Sequence, residues 1–137
     1  MTRQTDLLLK CKSAKEAQAS SAGLALLGEF CIGLGVLDWV DAYMPKSGKG
    51  SHFKTSEYVF PLVLMLNSGG RSLEDIKIIR RDFMLRDILP LKRVPSSDAI
   101  RNWLKRTADR GKLSGLEKTN QNLLKQALEY DDIKNYT

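Results

Sequence analysis

Side chains able to read a base edge stand close together at Arg101, Asn102, Lys105 and Arg106. Arg and Lys match the paired acceptors of guanine in the major groove, and Asn matches the acceptor and donor of adenine. All of them fall opposite Ile100, Trp103, Leu104 and Thr107 on a predicted helix over 96–110, N-capped by Ser96 or Ser97. Two short helical stretches precede it, the order of a helix-turn-helix whose last helix enters the major groove. The connection from Pro90 to Pro95 exceeds the usual turn of about three or four residues. A solvated helix face has the same composition and is the competing reading. A second basic group, Lys77, Arg80, Arg81, Lys92 and Arg93, suits phosphate contact better than base reading, because these side chains gather at a helix end and in a linker. The alternative there is that Arg80 and Arg81 pair with Asp75, Asp82 or Asp87 and complement the last turn of their helix.

Other chemistries find less support. Asp38 with Asp41, Glu74 with Asp75, and Asp131 with Asp132 are the acidic pairs. Acids in a first helical turn are accounted for by the helix dipole, and terminal acids by solvation. Metal-dependent nuclease chemistry requires carboxylates from separate elements converging on two cations about 4 Å apart, and these spacings predict no such convergence. Cys11, Cys31 and the single His52 lack zinc-ligand spacing, so both cysteines are expected to be small buried hydrophobes. The loop Lys46-Ser47-Gly48-Lys49-Gly50-Ser51 has the composition of a phosphate loop without its spacing, and no GxSxG elbow occurs. No catalytic, cofactor or metal residue is assigned, and no small-molecule substrate is expected.

The charge distribution favours the basic groups. The chain of 137 residues carries 22 Lys and Arg against 16 Asp and Glu, a formal +6. Residues 71–112 hold twelve basic and six acidic groups, so the whole excess resides there. A local excess of this kind focuses positive potential and favours a polyanion as partner.

The elements that position these groups read as helices. There are 21 Leu against 12 Val and Ile, a bias toward helix formers, and no segment alternates cleanly as a strand. Residues 7–19 are ambiguous between a strand and a polar helix. Ser20 or Ser21 caps a helix through Leu24, Leu27, Cys31 and Leu34, ended by Gly33 and Gly35. A short helix through Val36, Leu37, Val40 and Tyr43 stops at Pro45. Thr55 or Ser56 caps a helix that is apolar on every side from Tyr58 to Leu66 and so belongs at the centre of the core; Pro61 requires a later start or a bend. Ser72 to Asp75 reads as a capping box with Asp for Glu, Asp82 breaks and recaps the chain, and Pro90 closes the second short helix. Ser114 to Glu117 is a capping box opening a last helix to about Tyr130, with Leu116, Leu123, Leu124, Ala127 and Leu128 as its buried stripe. The expected fold is all-α: six to seven helices in a compact bundle, with a helix-turn-helix-like arrangement at about 72–110. The organisation expected is an arm over 1–19, a helical domain over 20–130 with its basic subregion at 71–112, and a tail over 131–137.

The longest apolar run, Tyr58 to Leu66, is nine residues against the roughly 18 of a membrane span. Leu7-Leu8-Leu9 is too short for the apolar region of a secretory signal. A cytoplasmic protein without membrane contact is expected.

Ser21 to Phe30, Gly35 with Leu37, Tyr58 to Leu66 leading to Gly69-Gly70, Leu73-Glu74-Asp75 with Asp82, and Pro95-Ser96-Ser97-Asp98 with Trp103-Leu104 succeed one another in an order that resembles the start of insertion-sequence transposases of the DDE group 1 type. The resemblance implies an N-terminal helical portion preceding a ribonuclease-H-like core that carries Asp, Asp and Glu on two divalent metals. Those three residues have no counterpart here, since Asp131 and Asp132 do not lie on an apolar strand. What it implies for this chain is a truncated transposase that binds double-stranded DNA at transposon ends, or assembles on it as a homo-oligomer, without cutting. Two alternatives accompany it: a protein-interaction module bracing the core, and a truncated regulatory fragment.

Overall fold

The computed structural model describes residues 16–47, 52–109 and 113–135, with side chains from Ala22 to Glu129. They form α1 (Glu16–Leu34), α2 (Val36–Tyr43), α3 (Thr55–Asn67), a 3-10 turn η1 (Leu73–Asp75), α4 (Ile76–Arg81), α5 (Phe83–Ile88), α6 (Ser97–Asp109) and α7 (Ser114–Asn135), with no strand among the described residues. The fold is all-α, as the leucine bias implies. Among the described residues no single helix is long and apolar enough to cross a membrane; Ala22–Leu34 with Val36–Tyr43, bent by 59°, passes that test as a pair by length and composition only.

Most breaks sit where local chemistry puts them. Gly35, at φ 83°, occupies the left-handed region that lets α1 turn directly into α2. Asp75 Oδ2 accepts the backbone N–H groups of Arg71 at 2.7 Å and Ser72 at 3.1 Å, the reciprocal half of a capping box. Asp82 Oδ1 accepts the Leu85 N–H at 3.0 Å, ending α4 and starting α5. Ser96 Oγ accepts the Ala99 N–H at 3.2 Å and is the cap of α6. Between α2 and α3 the cap is borrowed from a distant residue: Asp41 accepts both the N–H of Ser56 (2.9 Å) and its hydroxyl (2.7 Å). A carboxylate at the positive end of α3 thereby ties the two helices together.

Several boundaries differ from expectation. α1 begins at Glu16 and not at a Ser20 or Ser21 cap, because Glu16, Ala17, Gln18 and Ala19 all favour helix. The expected boundary at 19 is therefore no break in structure, and the rest of that arm lies outside the described residues, as do Cys11 and Gly111. α3 starts at Thr55 and runs through Pro61, which forgoes one hydrogen bond without stopping the helix. α7 continues to Asn135, since no Gly or Pro follows Tyr130, so the expected tail is helical through that residue.

The core holds Leu64, Ile76, Ile79, Leu85 and Ile100, all fully buried. Beside them Trp103 of α6 stacks on Tyr58 of α3 with centroids 5.0 Å apart and planes within 1°, and Phe53 meets Tyr58 edge-on at 5.6 Å. α3 fulfils its central role through Tyr58, Phe60, Leu64 and Met65, although Leu66 is exposed. Cys31 is only half-buried, and burial pushes its thiol pKa up, away from the reactive thiolate. α7 departs most from its expected stripe: Leu124 and Leu128 are 54% and 64% exposed. It docks through Leu116 of that stripe, which packs against the core, and through Gly115 and Thr119, with Asn122 donating to the Tyr43 hydroxyl at 2.7 Å. A Cβ on Gly115 would come within 2.6 Å of the Tyr43 carbonyl oxygen, so the small residue sets the approach of α7 to the end of α2.

Candidate nucleic-acid interface

α6 turns Ile100, Trp103 and Thr107 inward and leaves Asn102, Lys105 and Arg106 exposed. These three make no ion pair with any described residue, and Asp98 and Asp109 share their side of the helix. Arg101 behaves differently. Its Nη2 lies 2.6 Å from Glu74 Oε1 and its Nη1 2.8 Å from Asp98 Oδ1. Arg101, expected as a base reader, is thus engaged by two carboxylates and clasps α6 to η1. Residues 89–96 separate α5 from α6, and the main partner of α6 in this region is η1. The tight turn of a helix-turn-helix is therefore not the feature that places α6.

The clasp has a pH dependence. The backbone N–H of Glu74, and then the Arg101 guanidinium, hold the Glu74 carboxyl below the usual carboxylate range, while the N–H groups of Arg71 and Ser72 do the same for Asp75. A carboxylate with a depressed folded pKa contributes stability that is fully present above its unfolded pKa and is lost as pH falls through the folded value. The double variant Glu74→Gln/Asp75→Asn is therefore less stable than the parent at neutral pH, and the difference shrinks as pH falls below the ordinary carboxylate range. Urea midpoints across an acid series measure it; a pH-independent difference would contradict the assignment.

Part of the second basic group, Arg80 and Lys92, is brought together at the backbone where α4, α5 and the linker meet. Arg86, at the end of α5, donates from Nε to the Leu91 carbonyl (3.1 Å), from Nη1 to the Arg80 carbonyl (3.4 Å) and from Nη2 to the Lys92 carbonyl (2.6 Å). One guanidinium thus holds the last turn of α4 beside the linker. Arg80, Arg81 and Lys92 are exposed there and form no ion pair among the described residues, Asp75 and Asp87 included. Lys77, one turn earlier on α4, is also exposed and without an ion pair among them.

Arg93 carries the linker on to the start of α3. Its guanidinium lies over the Phe53 ring at 4.9 Å, donates to the His52 carbonyl at 2.6 Å and stands 3.9 Å from Glu57 Oε2. That carboxylate also accepts the Lys54 N–H at 3.0 Å. Arg93 is therefore engaged in protein contacts, and Lys54, whose backbone shares the Glu57 carboxylate with it, is exposed. Sequence reasoning missed Arg86 and Lys54. Arg86 works by donating to carbonyls, which every residue carries, and Lys54 joins the group only through the fold.

Among the described residues no three His, Cys, Asp or Glu side chains gather as metal ligands. No family model matches the chain, and neither a curated protein nor a solved structure does.

Proposed function

We propose that this chain is a DNA-binding and assembly unit that grips the backbone of duplex DNA, in the setting its sequence resemblance implies: the N-terminal segment of a DDE transposase at the terminal inverted repeats. The observation that carries this reading is the junction tied by Arg86, where Arg80, Arg81 and Lys92 stand exposed and free of ion pairs among the described residues. Phosphate contacts of this kind position a protein without reading sequence. The outer face of α6, with Asn102, Lys105 and Arg106, is the part assigned to the groove, and Lys77 to phosphate. No catalytic role is assigned to any residue.

Binding through Arg80, Arg81, Lys92 and Lys54 neutralises about four phosphates, so log affinity for duplex DNA falls against log salt with a slope near −3.6. Fluorescence anisotropy with a labelled duplex from low to high salt measures it. A folded sample that fails to bind, or binds without salt dependence, overturns the reading.

A second reading, a protein-interaction module, draws on exposed apolar side chains: Leu124 and Leu128 on α7, and Leu26 and Phe30 on α1. It expects self-association in sedimentation without DNA, together with no duplex binding at low salt.

A further inference from the structure

Resting on the reading of this junction as a backbone-phosphate site, we propose that Arg86 is its positioning residue: it presents Lys92 to the same phosphate run as Arg80 and Arg81 and spends its own donors on protein carbonyls. The geometry supplies the reason. Arg80 lies in the last turn of α4, where carbonyl groups have no partner within the helix, and its carbonyl is met by Arg86 Nη1. The other two donors of the fork take the Leu91 and Lys92 carbonyls. A planar guanidinium spans three acceptors in fixed directions, which the point charge of a lysine ammonium does not. Without the fork, nothing else among the described residues bonds the Lys92 backbone to α4 or α5. The linker nevertheless stays on the protein, because Leu89, Leu91 and Val94 are buried in the core. Losing Arg86 therefore frees the placement of Lys92 while leaving the fold anchored.

The consequence is a coupling between two residues that a purely coulombic or purely structural arginine would not show. In Arg86→Lys the formal charge is kept, yet one phosphate contact is lost: affinity for a labelled duplex at 0.15 M salt falls about fivefold and the salt slope weakens by about 0.9. Lys92→Gln alone has the same effect, having removed the same contact. The double variant is no weaker than either single one, since the contact is lost only once. Circular dichroism melting of each variant sets the folded fraction by which affinities are scaled.

Multiplication of the two single losses to about twenty-five-fold in the double variant, or wild-type affinity in Arg86→Lys, overturns the positioning role while leaving the phosphate site standing. Wild-type affinity in Lys92→Gln overturns the phosphate site itself, and the positioning role with it.

Discussion

Replacing Trp103 by alanine lowers the unfolding free energy by about 3–5 kcal/mol, the range for truncating a fully packed aromatic side chain. The ring is 3% exposed and stacks face to face on Tyr58, itself 3% exposed. Phe53 meets the other ring edge-on and carries the Arg93 guanidinium. The column therefore joins α6, α3 and the linker, and losing Trp103 removes burial and stacking together. Small domains have only about 5–15 kcal/mol in total, so the variant spends a large share of its stability on one side chain. Trp103→Phe keeps a ring on Tyr58 and loses less. Urea denaturation followed by circular dichroism separates the two; a loss below about 1 kcal/mol for Trp103→Ala would mean that the stack is not part of the folded core.

What could be read in advance divides along the range of the interaction responsible. Asp82 recapping the chain, Ser96 capping α6, Asp75 standing in for Glu and Gly35 ending α1 are decided within four residues of the side chain concerned. Local chemistry of that kind is written in the sequence. The buried side of α6 was legible for the same reason, because Ile100, Trp103 and Thr107 repeat with the helix period. The assignment of α7 went astray because the period there points to the leucines, whereas Gly115 can lie against the Tyr43 backbone and Leu124 cannot. Close approach outweighs apolar area at that contact. The candidate interface shows the same division. Twelve basic groups against six acidic ones over 71–112 identified the region, but not which cations spend themselves inside the protein. Arg101 meets Glu74 across 27 positions and Arg93 meets His52 across 41, distances at which composition and periodicity carry no information.

Under the DNA-binding function proposed above, neutralising that junction has the largest effect expected on binding. With Arg80, Arg81 and Lys92 all replaced by glutamine, affinity for duplex DNA at 0.15 M salt falls about a hundredfold and the salt slope weakens by about 2.7, the value of three phosphate contacts. The difference arises from counterions released by the parent and not by the variant, so it closes as salt approaches 1 M. This convergence separates lost phosphate contacts from lost folding, which would depress binding at every salt concentration. The three side chains are exposed, so melting of the variant stays near that of the parent. The same substitutions leave α6 untouched, and a duplex of transposon-end sequence should therefore keep whatever advantage over random duplex Asn102, Lys105 and Arg106 give it. A matching triple substitution of these three reverses the pattern: the advantage for the end sequence disappears while binding to random duplex falls less than in the junction variant. Equal behaviour of the two triple variants on both duplexes would place the cations in one undivided field, with no division of labour between linker and helix.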